Sequence, residues 1–418
     1  RFMNNRRHFL QASLAAIAAT PVLSTRAQDA PKIEPAQPEP PPAPEIKAPG
    51  LPMVTALRQD GVSIVWGVST PSTGWVEYGE TPELGKKAYG TVDGLRPFDP
   101  RVIAIPLDGL KPGATIHYRT VTAPIDFPNQ YKMTRGEPVV SPTYSFNLPG
   151  PGSSTKIAVW NDTHQQIDTL AAVRKLTEEF APSLLVWNGD VVADQFMLEE
   201  DLTETFLYPK SASGFASSRP LLYSRGNHDV RGAVARDLPA YMPRAMDHGY
   251  QNLLRIGPVG ILVLDTGEDK EGPQFYGDLG EWALYRKRQL AWLEQGVNDP
   301  LFKDAPHKIL FCHIPLRWKD PKSKGSCCSD GDQQWSAVLA KAGVKAVFSG
   351  HTHEFWHDEP KADRPFHQIT GGGPQTKSTN WSPTPATVIQ LSADEKTLTI
   401  EVTEAASRNQ LLSLKLDA

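Results

Sequence analysis

The stretch PLLYSRGNHDVRG, residues 220–232, joins an apolar segment directly to a cluster of polar side chains. The run PLLY at 220–223 is typical of a buried strand, and the chain then continues as GNHD at 226–229. An amide, an imidazole and a carboxylate therefore follow one another just beyond the point where the strand stops. Other predicted strand ends of the chain carry the same kinds of residue.

From Thr155 onward, strand-like apolar segments alternate with helical ones. KIAVWN at 156–161 precedes a helical pattern at 168–181, and VKAVFSG at 344–350 follows the helical WSAVLAKAG at 335–343. This alternation predicts an α/β sandwich with sheets inside and helices outside. In such folds the reactive groups gather on the loops at the carboxyl ends of the strands.

Five predicted strand ends carry carboxylate, imidazole or amide side chains. They are Asp162-Thr163-His164, Gly189-Asp190, Gly226-Asn227-His228-Asp229, His313 and Gly350-His351-Thr352-His353. In an extended segment residues two apart point the same way, so the D-x-H and H-x-H spacings aim pairs of side chains into one cavity. The preceding glycines allow the backbone to approach closely. Together these side chains predict one shared site for two ions such as Mn, Fe or Zn.

The ordered set D-x-H, G-D, G-N-H-D, H and G-H-x-H resembles the calcineurin-like metallophosphoesterase superfamily. The resemblance implies a four-layer α/β sandwich, with two β-sheets flanked by helices, over residues 155–405, and a C-terminal tail at 406–418. It also implies a phosphoesterase with two metal ions about 4 Å apart, where a bridging water attacks phosphorus as hydroxide.

The resemblance also implies a role for each polar residue at the strand ends. The ligands are Asp162, His164 and His353 for one metal ion and Asn227, His313 and His351 for the other, with Asp190 bridging the two. The catalytic candidates are His228 and Asp229. His228 lies beside the substrate without binding metal, where it protonates the leaving oxygen or stabilises charge on the phosphoryl group.

Residues 51–150 predict an all-β domain, because short alternating runs such as VSIVWGV and TIHYRTV recur between turn residues. The turn at 111–113, with Tyr118 soon after, resembles a corner of fibronectin type III domains. A fibronectin type III-like sandwich ahead of a phosphoesterase region resembles the layout of purple acid phosphatases. Ala193 stands where that family has a tyrosinate ligand, so no iron-tyrosinate colour is expected. Asp194 is one residue later than the aspartate that orients the catalytic histidine in protein phosphatases.

The sequence of the N-terminal region predicts that the protein is exported. Residues 1–27 contain Arg6 and Arg7 followed by an Ala-rich apolar stretch, and resemble a twin-arginine signal peptide. Residues 28–50 are too rich in proline to form helix or sheet, and predict an extended linker. The expected location is therefore periplasmic or secreted.

Composition limits the classes of partner. A formal net charge of -4 excludes bulk electrostatic attraction to nucleic acid or to anionic membranes, and no apolar run reaches the length that spans a bilayer. The expected partner is a small-molecule phosphate ester, with monoesters preferred. A phosphodiesterase with the same site is the alternative, and a non-catalytic binding protein of the cell envelope is a third reading, which the intact ligand set and His228 argue against.

Several other residues have two readings. Arg225 and Arg317 either reach a substrate phosphate or pair with carboxylates. Glycines 371–373 either carry a late loop close to the metals or form a plain turn. Trp318 and Trp381 either wall a pocket or pack in the core. The remaining candidates are expected to have structural roles only, and they are Cys312, Cys327, Cys328, His248, His307, His357 and His367.

Overall fold

The computed structural model describes residues 49–418, apart from positions 248, 271, 321, 322 and 324. The predicted signal peptide, most of the predicted linker and His248 lie outside the described residues. Within the described residues, every helix is too short or too polar to cross a bilayer.

Between Met53 and Asn147 the elements of the structure are all strands, and the likeness of this region to a fibronectin type III domain stays a prediction. The strands are β1 (Met53–Arg58), β2 (Gly61–Gly67), β3 (Ser72–Gly79), β4 (Lys86–Ala88), β5 (Val102–Leu107), β6 (Thr115–Asn129), β7 (Lys132–Arg135), β8 (Val139–Val140) and β9 (Tyr144–Asn147). One sheet has the order β1-β2-β5, and the other has the order β4-β3-β6-β7, with β8 and β9 also paired to β6. Trp66 and Tyr118 are fully buried in one hydrophobic cluster. The Tyr118 hydroxyl donates to the carbonyl of Ser217 in the following α/β region at 2.7 Å, so this tyrosine ties the two regions together.

The following region builds two six-stranded sheets. Their strands are β10 (Ser154–Trp160), β11 (Leu184–Asn188), β12 (Leu221–Ser224), β13 (Asn252–Ile256), β14 (Val259–Val263), β15 (His307–Phe311), β16 (Ala346–Ser349), β17 (Trp356–Asp358), β18 (His367–Thr370), β19 (Thr387–Asp394), β20 (Thr397–Glu404) and β21 (Gln410–Asp417). The first sheet has the order β12-β11-β10-β19-β20-β21, and the second has the order β13-β14-β15-β16-β18-β17. β10, β11 and β12 run parallel, as do β14, β15, β16 and β18. Parallel strands deliver their carboxyl ends to one edge of a sheet, where the predicted site residues follow.

Helices occupy the connections between these strands. They are α1 (Ile167–Phe180), α2 (Glu199–Leu202), α3 (Leu238–Tyr241), α4 (Pro273–Tyr276), α5 (Trp282–Gly296), α6 (Pro300–Lys303) and α7 (Ser329–Lys341). A π-helical turn spans Thr203–Leu207, and 3-10 turns span His228–Val230 and Ala235–Asp237. α1 matches the predicted helical pattern at 168–181 to within one residue at each end, whereas α7 begins at Ser329, before the predicted pattern at 335–343.

Alternating side chains bury both faces of the central strands. On β10, Ile157 joins a cluster that also contains Phe311 of the second sheet, so the two sheets pack face to face. Trp160, on the opposite face of β10, joins a cluster with Leu170 of α1. A third cluster joins the outer face of the second sheet to α5 and α7. The observed layers therefore have sheets inside and helices outside, as the alternation predicts.

The predicted C-terminal tail is instead part of the first sheet. Residues 406–418 contain β21, which pairs antiparallel with β20. The segment QLLSLKLD alternates between exposed and partly buried positions over most of its length, which is the period of a strand. The sheet therefore continues to Asp417, beyond the end predicted at residue 405.

Candidate metal and phosphoester site

The loops after the parallel strands have an uncommon backbone conformation. Asp162, His164 and Asp190 have φ values of 46°, 43° and 50°. His351 and His353 have φ values of 73° and 54°. The prediction that the D-x-H and H-x-H segments are extended is therefore wrong. A left-handed residue other than glycine costs about 1–2 kcal/mol, and such strain clusters at sites where function requires a particular side-chain direction.

Two glycines let these loops cross at very close range. A Cβ at Gly226 would overlap the main-chain nitrogen of Asp190. A Cβ at Gly350 would overlap the carboxylate of Asp162. The structure thus confirms the predicted reason for a glycine before Asn227 and before His351.

One group of ligand atoms combines two carboxylates and two imidazoles. It consists of Asp162, His164, Asp190 and His353, whose ligand atoms all lie within 4.8 Å of one another. His164 Nε2 lies 3.7 Å from Asp190 Oδ2, and His353 Nε2 lies 3.7 Å from Asp162 Oδ1. The Nε2 atoms of the two imidazoles are 3.1 Å apart. All four side chains therefore point into a single small volume.

A second group shares Asp190 with the first. It consists of Asp190, His313 and His351, again with ligand atoms within 4.8 Å. His313 Nε2 lies 3.1 Å from Asp190 Oδ2, and Asn227 Oδ1 lies 2.8 Å from His351 Nδ1. The structure therefore brings all seven predicted ligands together in the predicted grouping, with Asp190 between the two groups. Their role as metal ligands stays a prediction.

In each of the four histidines of these groups, one ring nitrogen forms a hydrogen bond to a backbone carbonyl. The bonds are His164 Nδ1 to Ala193 O at 2.9 Å, His313 Nδ1 to Asn188 O at 2.8 Å, His353 Nδ1 to Trp381 O at 2.9 Å and His351 Nε2 to Gly325 O at 2.6 Å. A carbonyl can only accept, so this nitrogen carries the proton and the other nitrogen faces the cluster. Histidines that ligate metals are oriented in this way.

The donor set fits two divalent metal ions. Asp162 Oδ2 is buried and has no hydrogen-bond partner among the described residues, and burial raises the pKa of Asp162 to about 8. Burial alone would lower the pKa of His313, but the Asp190 carboxylate raises it to about 10. Protons therefore compete with a cation for these atoms. Buried nitrogen and carboxylate donors suit Mn, Fe or Zn, as expected from the sequence.

His228 lies beside both groups without belonging to either. Its Nε2 lies 4.0 Å from Asp190 Oδ2, its Nδ1 donates to the carbonyl of Asp194 at 2.9 Å, and Arg231 Nη1 donates to its Nε2 at 2.9 Å. Burial lowers the pKa of His228 to about 4 despite the Asp190 charge, so the ring is neutral near pH 7. The Asp194 carboxylate is 3.7 Å from Nδ1 and 78% exposed. The main chain of Asp194, more than its side chain, therefore orients the ring.

Asp229 does not occupy the catalytic position predicted for it. Its Oδ1 accepts from the main-chain nitrogen of Val191 at 3.0 Å. Its Oδ2 accepts from the Gly226 nitrogen and from the Tyr223 hydroxyl, both at 2.9 Å. Because the carboxylate is fully buried and occupied by these donors, it positions the loops that carry Asp190 and Asn227 and stays away from a substrate.

A sixth strand end contributes residues that the sequence reading missed. Glu268 and Asp269 follow β14, where the chain reads VLDTGED. Arg231 Nε donates to Glu268 Oε2 at 2.7 Å, and Asn227 Nδ2 donates to Asp269 Oδ1 at 3.3 Å. The signal was the same as at the other strand ends, an apolar run that stops in carboxylates. Arg231 could have been found from its position three residues after His228, beyond the GNHD motif.

The two arginines with alternative readings both pair with carboxylates. Arg225 Nε donates to Asp265 Oδ2 at 2.9 Å. Arg317 Nε donates to Asp332 Oδ2 at 2.6 Å, and its Nη1 donates to Asp363 Oδ2 at 2.8 Å. Neither guanidinium is therefore free to hold a substrate phosphate.

The late glycines and Trp381 lie at the site. A Cβ at Gly373 would come within 2.9 Å of the Asp162 carbonyl, so this loop passes close to the ligands. The Trp381 ring centroid is 5.5 Å from that of His164 and 5.6 Å from that of His353, so Trp381 covers this side of the cluster. Trp318 instead packs on a neighbouring tryptophan. The remaining described candidates lie outside both ligand groups, and they are Cys312, Cys327, Cys328, His307, His357 and His367.

We expect Gly226→Ala to damage the site because the added methyl group would overlap backbone that cannot move away. Displacing the Asp190 loop should lower bound metal and reduce phosphoester hydrolysis by about tenfold or more. Gly152→Ala is the matched control, since the nearest atom to its Cβ is 3.7 Å away. Metal content and hydrolysis should be measured on both variants, and equal behaviour of the two would contradict the close approach at Gly226.

Comparison with known proteins identifies the family of the region that carries this site. Residues 155–355 match the family model of the Calcineurin-like phosphoesterases. A mouse protein named Serine/threonine-protein phosphatase CPPED1 is 29% identical over 143 residues, which are 32% of this chain and 41% of the mouse protein. A Psychrobacter protein named "Probable cyclic nucleotide phosphodiesterase" is 25% identical over 186 residues, 43% of this chain and 49% of that protein. These matches span less than half the length of the curated relatives.

Two solved structures share the fold over most of the chain. A purple acid phosphatase from yellow lupin (Lupinus luteus) seeds aligns with a TM-score of 0.63 and 15% identity, covering 88% of this chain and 74% of the lupin chain. The structure of PhoD aligns with a TM-score of 0.59 and 11% identity, covering 90% of each chain. These two structures show the shared fold, and the family-model match shows that residues 155–355 are a calcineurin-like metallophosphoesterase domain.

Proposed function

We propose that this protein is an exported, metal-dependent enzyme that hydrolyses phosphate monoesters. The observation that carries the proposal is the pair of ligand groups that share Asp190. When bound there, two metal ions supply Lewis acidity and lower the pKa of the water that attacks phosphorus. The proposal of export rests on the Arg6 and Arg7 pair, and cell fractionation would test it.

The residues of the chain would orient the substrate and handle the proton of the leaving group. Asp269 accepts from Asn227 Nδ2, which turns Asn227 Oδ1 towards the second ligand group. His228 is held through Nδ1 on a main-chain carbonyl, so only its Nε2 faces the site. The neutral ring accepts a hydrogen bond at Nε2, so His228 would first take up a proton there and then protonate the leaving oxygen or donate to a phosphoryl oxygen. Arg231 adds a fixed positive charge beside the same imidazole.

The proposal that the enzyme prefers phosphate monoesters to diesters rests on the names of the related proteins. The mouse relative is named a protein phosphatase, and the lupin structure is a purple acid phosphatase. The Psychrobacter relative is named a cyclic nucleotide phosphodiesterase, so a diesterase with the same ligands is the second candidate. Both reactions use the same bound metals, and the loops around the site decide between them.

Hydrolysis of 4-nitrophenyl phosphate and of bis(4-nitrophenyl) phosphate tests the proposal. The full chain should be assayed as purified, after chelation, and after addition of Mn, Fe or Zn, with circular dichroism to show that the chelated protein stays folded. We expect chelation to abolish activity, metal to restore it, and kcat/KM to be about tenfold or more higher for the monoester. A faster diester reaction would support the second candidate. Metal-bound protein inactive on both esters would favour the non-catalytic reading.

A further inference from the structure

A cavity of about 770 Å³ lies against the segment that carries His228. Val230 lines it two residues after His228. Gln195 lines it directly after Asp194, whose carbonyl holds the His228 ring. Ligand cavities in proteins usually measure about 300–1,000 Å³, so the space is sufficient for an organic group of the size of a nucleoside.

A chain of hydrogen bonds connects the wall of this cavity to His228. Arg231 Nη1 donates to His228 Nε2 at 2.9 Å, and Arg231 Nε donates to Glu268 Oε2 at 2.7 Å. The hydroxyl of Tyr276 donates to the same Glu268 oxygen, and Tyr276 lines the cavity. The cavity is therefore on the side of the site where His228 stands.

Aromatic rings form a large part of the wall. Tyr250, Trp282 and Tyr285 line the cavity and surround the guanidinium of Arg225, whose carbon lies 5.1, 5.9 and 5.7 Å from their ring centroids. Asp265 neutralises Arg225 through a bond of 2.8 Å. Phe275, which is 52% exposed, adds a further ring. Such walls suit a planar ring, which stacks on aromatic side chains.

The cavity also carries positive charge beyond that of Arg225, which Asp265 neutralises. Its described lining contains three arginines, Arg225, Arg236 and Arg244, and no aspartate or glutamate. Among the residues that the structure describes, Arg236 donates to the carbonyl of Leu279, at 3.2 Å, and pairs with no carboxylate. Arg244 is exposed and has no hydrogen-bond or ion-pair partner among the described residues. A guanidinium in this setting binds carboxylate or phosphate groups.

We propose that this cavity receives the leaving group of the phosphate ester, and that this group carries a planar ring and a negatively charged substituent. The ring stacks on the aromatic wall, and the charged substituent pairs with Arg244. The inference rests on the proposed function, because it takes His228 as the group that serves the leaving oxygen. It adds to that function the chemical class of the substrate.

Three esters test separately whether the cavity binds a planar ring and whether it binds a negatively charged substituent. They are glycerol 2-phosphate, which has no ring, phenyl phosphate, which has a ring, and 4-carboxyphenyl phosphate, which has a ring and a carboxylate. Phe275→Ala and Arg244→Gln are the test variants. Their matched controls are Phe127→Ala and Arg135→Gln, which change an exposed phenylalanine and an exposed arginine of the N-terminal β region. The ratio of variant to wild-type kcat/KM is compared for each ester, which removes intrinsic differences in leaving-group reactivity.

We expect Arg244→Gln to lower kcat/KM for 4-carboxyphenyl phosphate about tenfold and to leave the other two esters within about twofold. Phe275→Ala should lower kcat/KM for both aryl esters about fivefold and spare glycerol 2-phosphate. Both control variants should match the wild type on every ester. Variants that affect all three esters equally, or none, would overturn the inference.

Binding of 4-hydroxybenzoate, the alcohol released from the third ester, gives a readout that does not need turnover. Saturation-transfer NMR should detect its binding to the wild type, and Arg244→Gln should abolish the signal while Arg135→Gln keeps it. If no ester is hydrolysed, the proposed function fails and the binding result still decides the cavity. Hydrolysis without binding of 4-hydroxybenzoate would keep the proposed function and overturn the inference.

Discussion

Asp190→Asn is expected to lower kcat/KM for 4-nitrophenyl phosphate by about 10³-fold or more, the largest loss for any single residue of the site. Asp190 is the one side chain shared by both ligand groups. It also contacts His313 at 3.1 Å and accepts from the His228 main-chain nitrogen at 2.8 Å. An amide in its place removes one negative charge and one ligand oxygen from both metal positions, so both positions should weaken together.

Asp332→Asn is a suitable control for this substitution. Asp332 pairs with Arg317 outside both ligand groups, so the same change of carboxylate to amide should leave hydrolysis within about twofold. Steady-state hydrolysis should be measured on wild type and both variants at several metal concentrations. If Asp190→Asn retains more than about a tenth of the wild-type kcat/KM at saturating metal, Asp190 does not bridge two catalytic ions.

His228→Gln is expected to give the second largest loss, a reduction of about 10²-fold in kcat with bound metal unchanged. His228 stands outside both ligand groups, and its Nδ1 is fixed by the carbonyl of Asp194. Glutamine cannot transfer a proton at the position of Nε2. The loss should be smaller for 4-nitrophenyl phosphate than for glycerol 2-phosphate, because nitrophenolate leaves without needing a proton.

Asp194→Asn is a control that distinguishes the effect of the Asp194 main-chain carbonyl on His228 from the effect of the Asp194 side chain. Asp194→Asn should change kcat by less than about threefold, because the carbonyl that holds the His228 ring is kept and the carboxylate is 78% exposed. Kinetics and metal content should be measured for both variants. A loss in Asp194→Asn as large as that in His228→Gln would show that the carboxylate orients the ring. A loss of metal in His228→Gln would make His228 a ligand.

Much of the site could be predicted from the sequence, because its residues follow strands with strong apolar signals. Asp162, Asp190 and His313 each come directly or almost directly after such a strand, and parallel strands bring their carboxyl ends together whatever the loops do. Glycines before Asn227 and His351 marked the close approaches, which the overlaps at Gly226 and Gly350 explain.

The local conformation of these residues could not be predicted from spacing. The D-x-H and H-x-H patterns suggested extended backbone, whereas Asp162, His164, His351 and His353 are all left-handed. Tertiary contacts hold this conformation, for example the bond from the His351 nitrogen to Asp162 Oδ1 at 2.8 Å. These residues are 189 positions apart, so no local pattern contains the information.

The roles of residues whose hydrogen-bond partners are distant in the sequence could not be predicted either. Asp229 stands next to His228 in the motif, yet its oxygens accept from Val191, Gly226 and Tyr223 behind the loop. Arg231 reaches Glu268 across 37 positions. A motif gives the residue types at a site but does not show which way each side chain turns, because packing against other loops decides the direction.

The number of metal ions bound per chain tests the central claim most directly. Wild-type protein purified without chelator, and Asp190→Asn prepared in the same way, should be measured by inductively coupled plasma mass spectrometry after removal of loosely bound ions. We predict about two Mn, Fe or Zn ions per wild-type chain and fewer than one in the variant, because Asp190 belongs to both ligand groups. One ion or none in the active wild-type protein would contradict a two-metal phosphoesterase site.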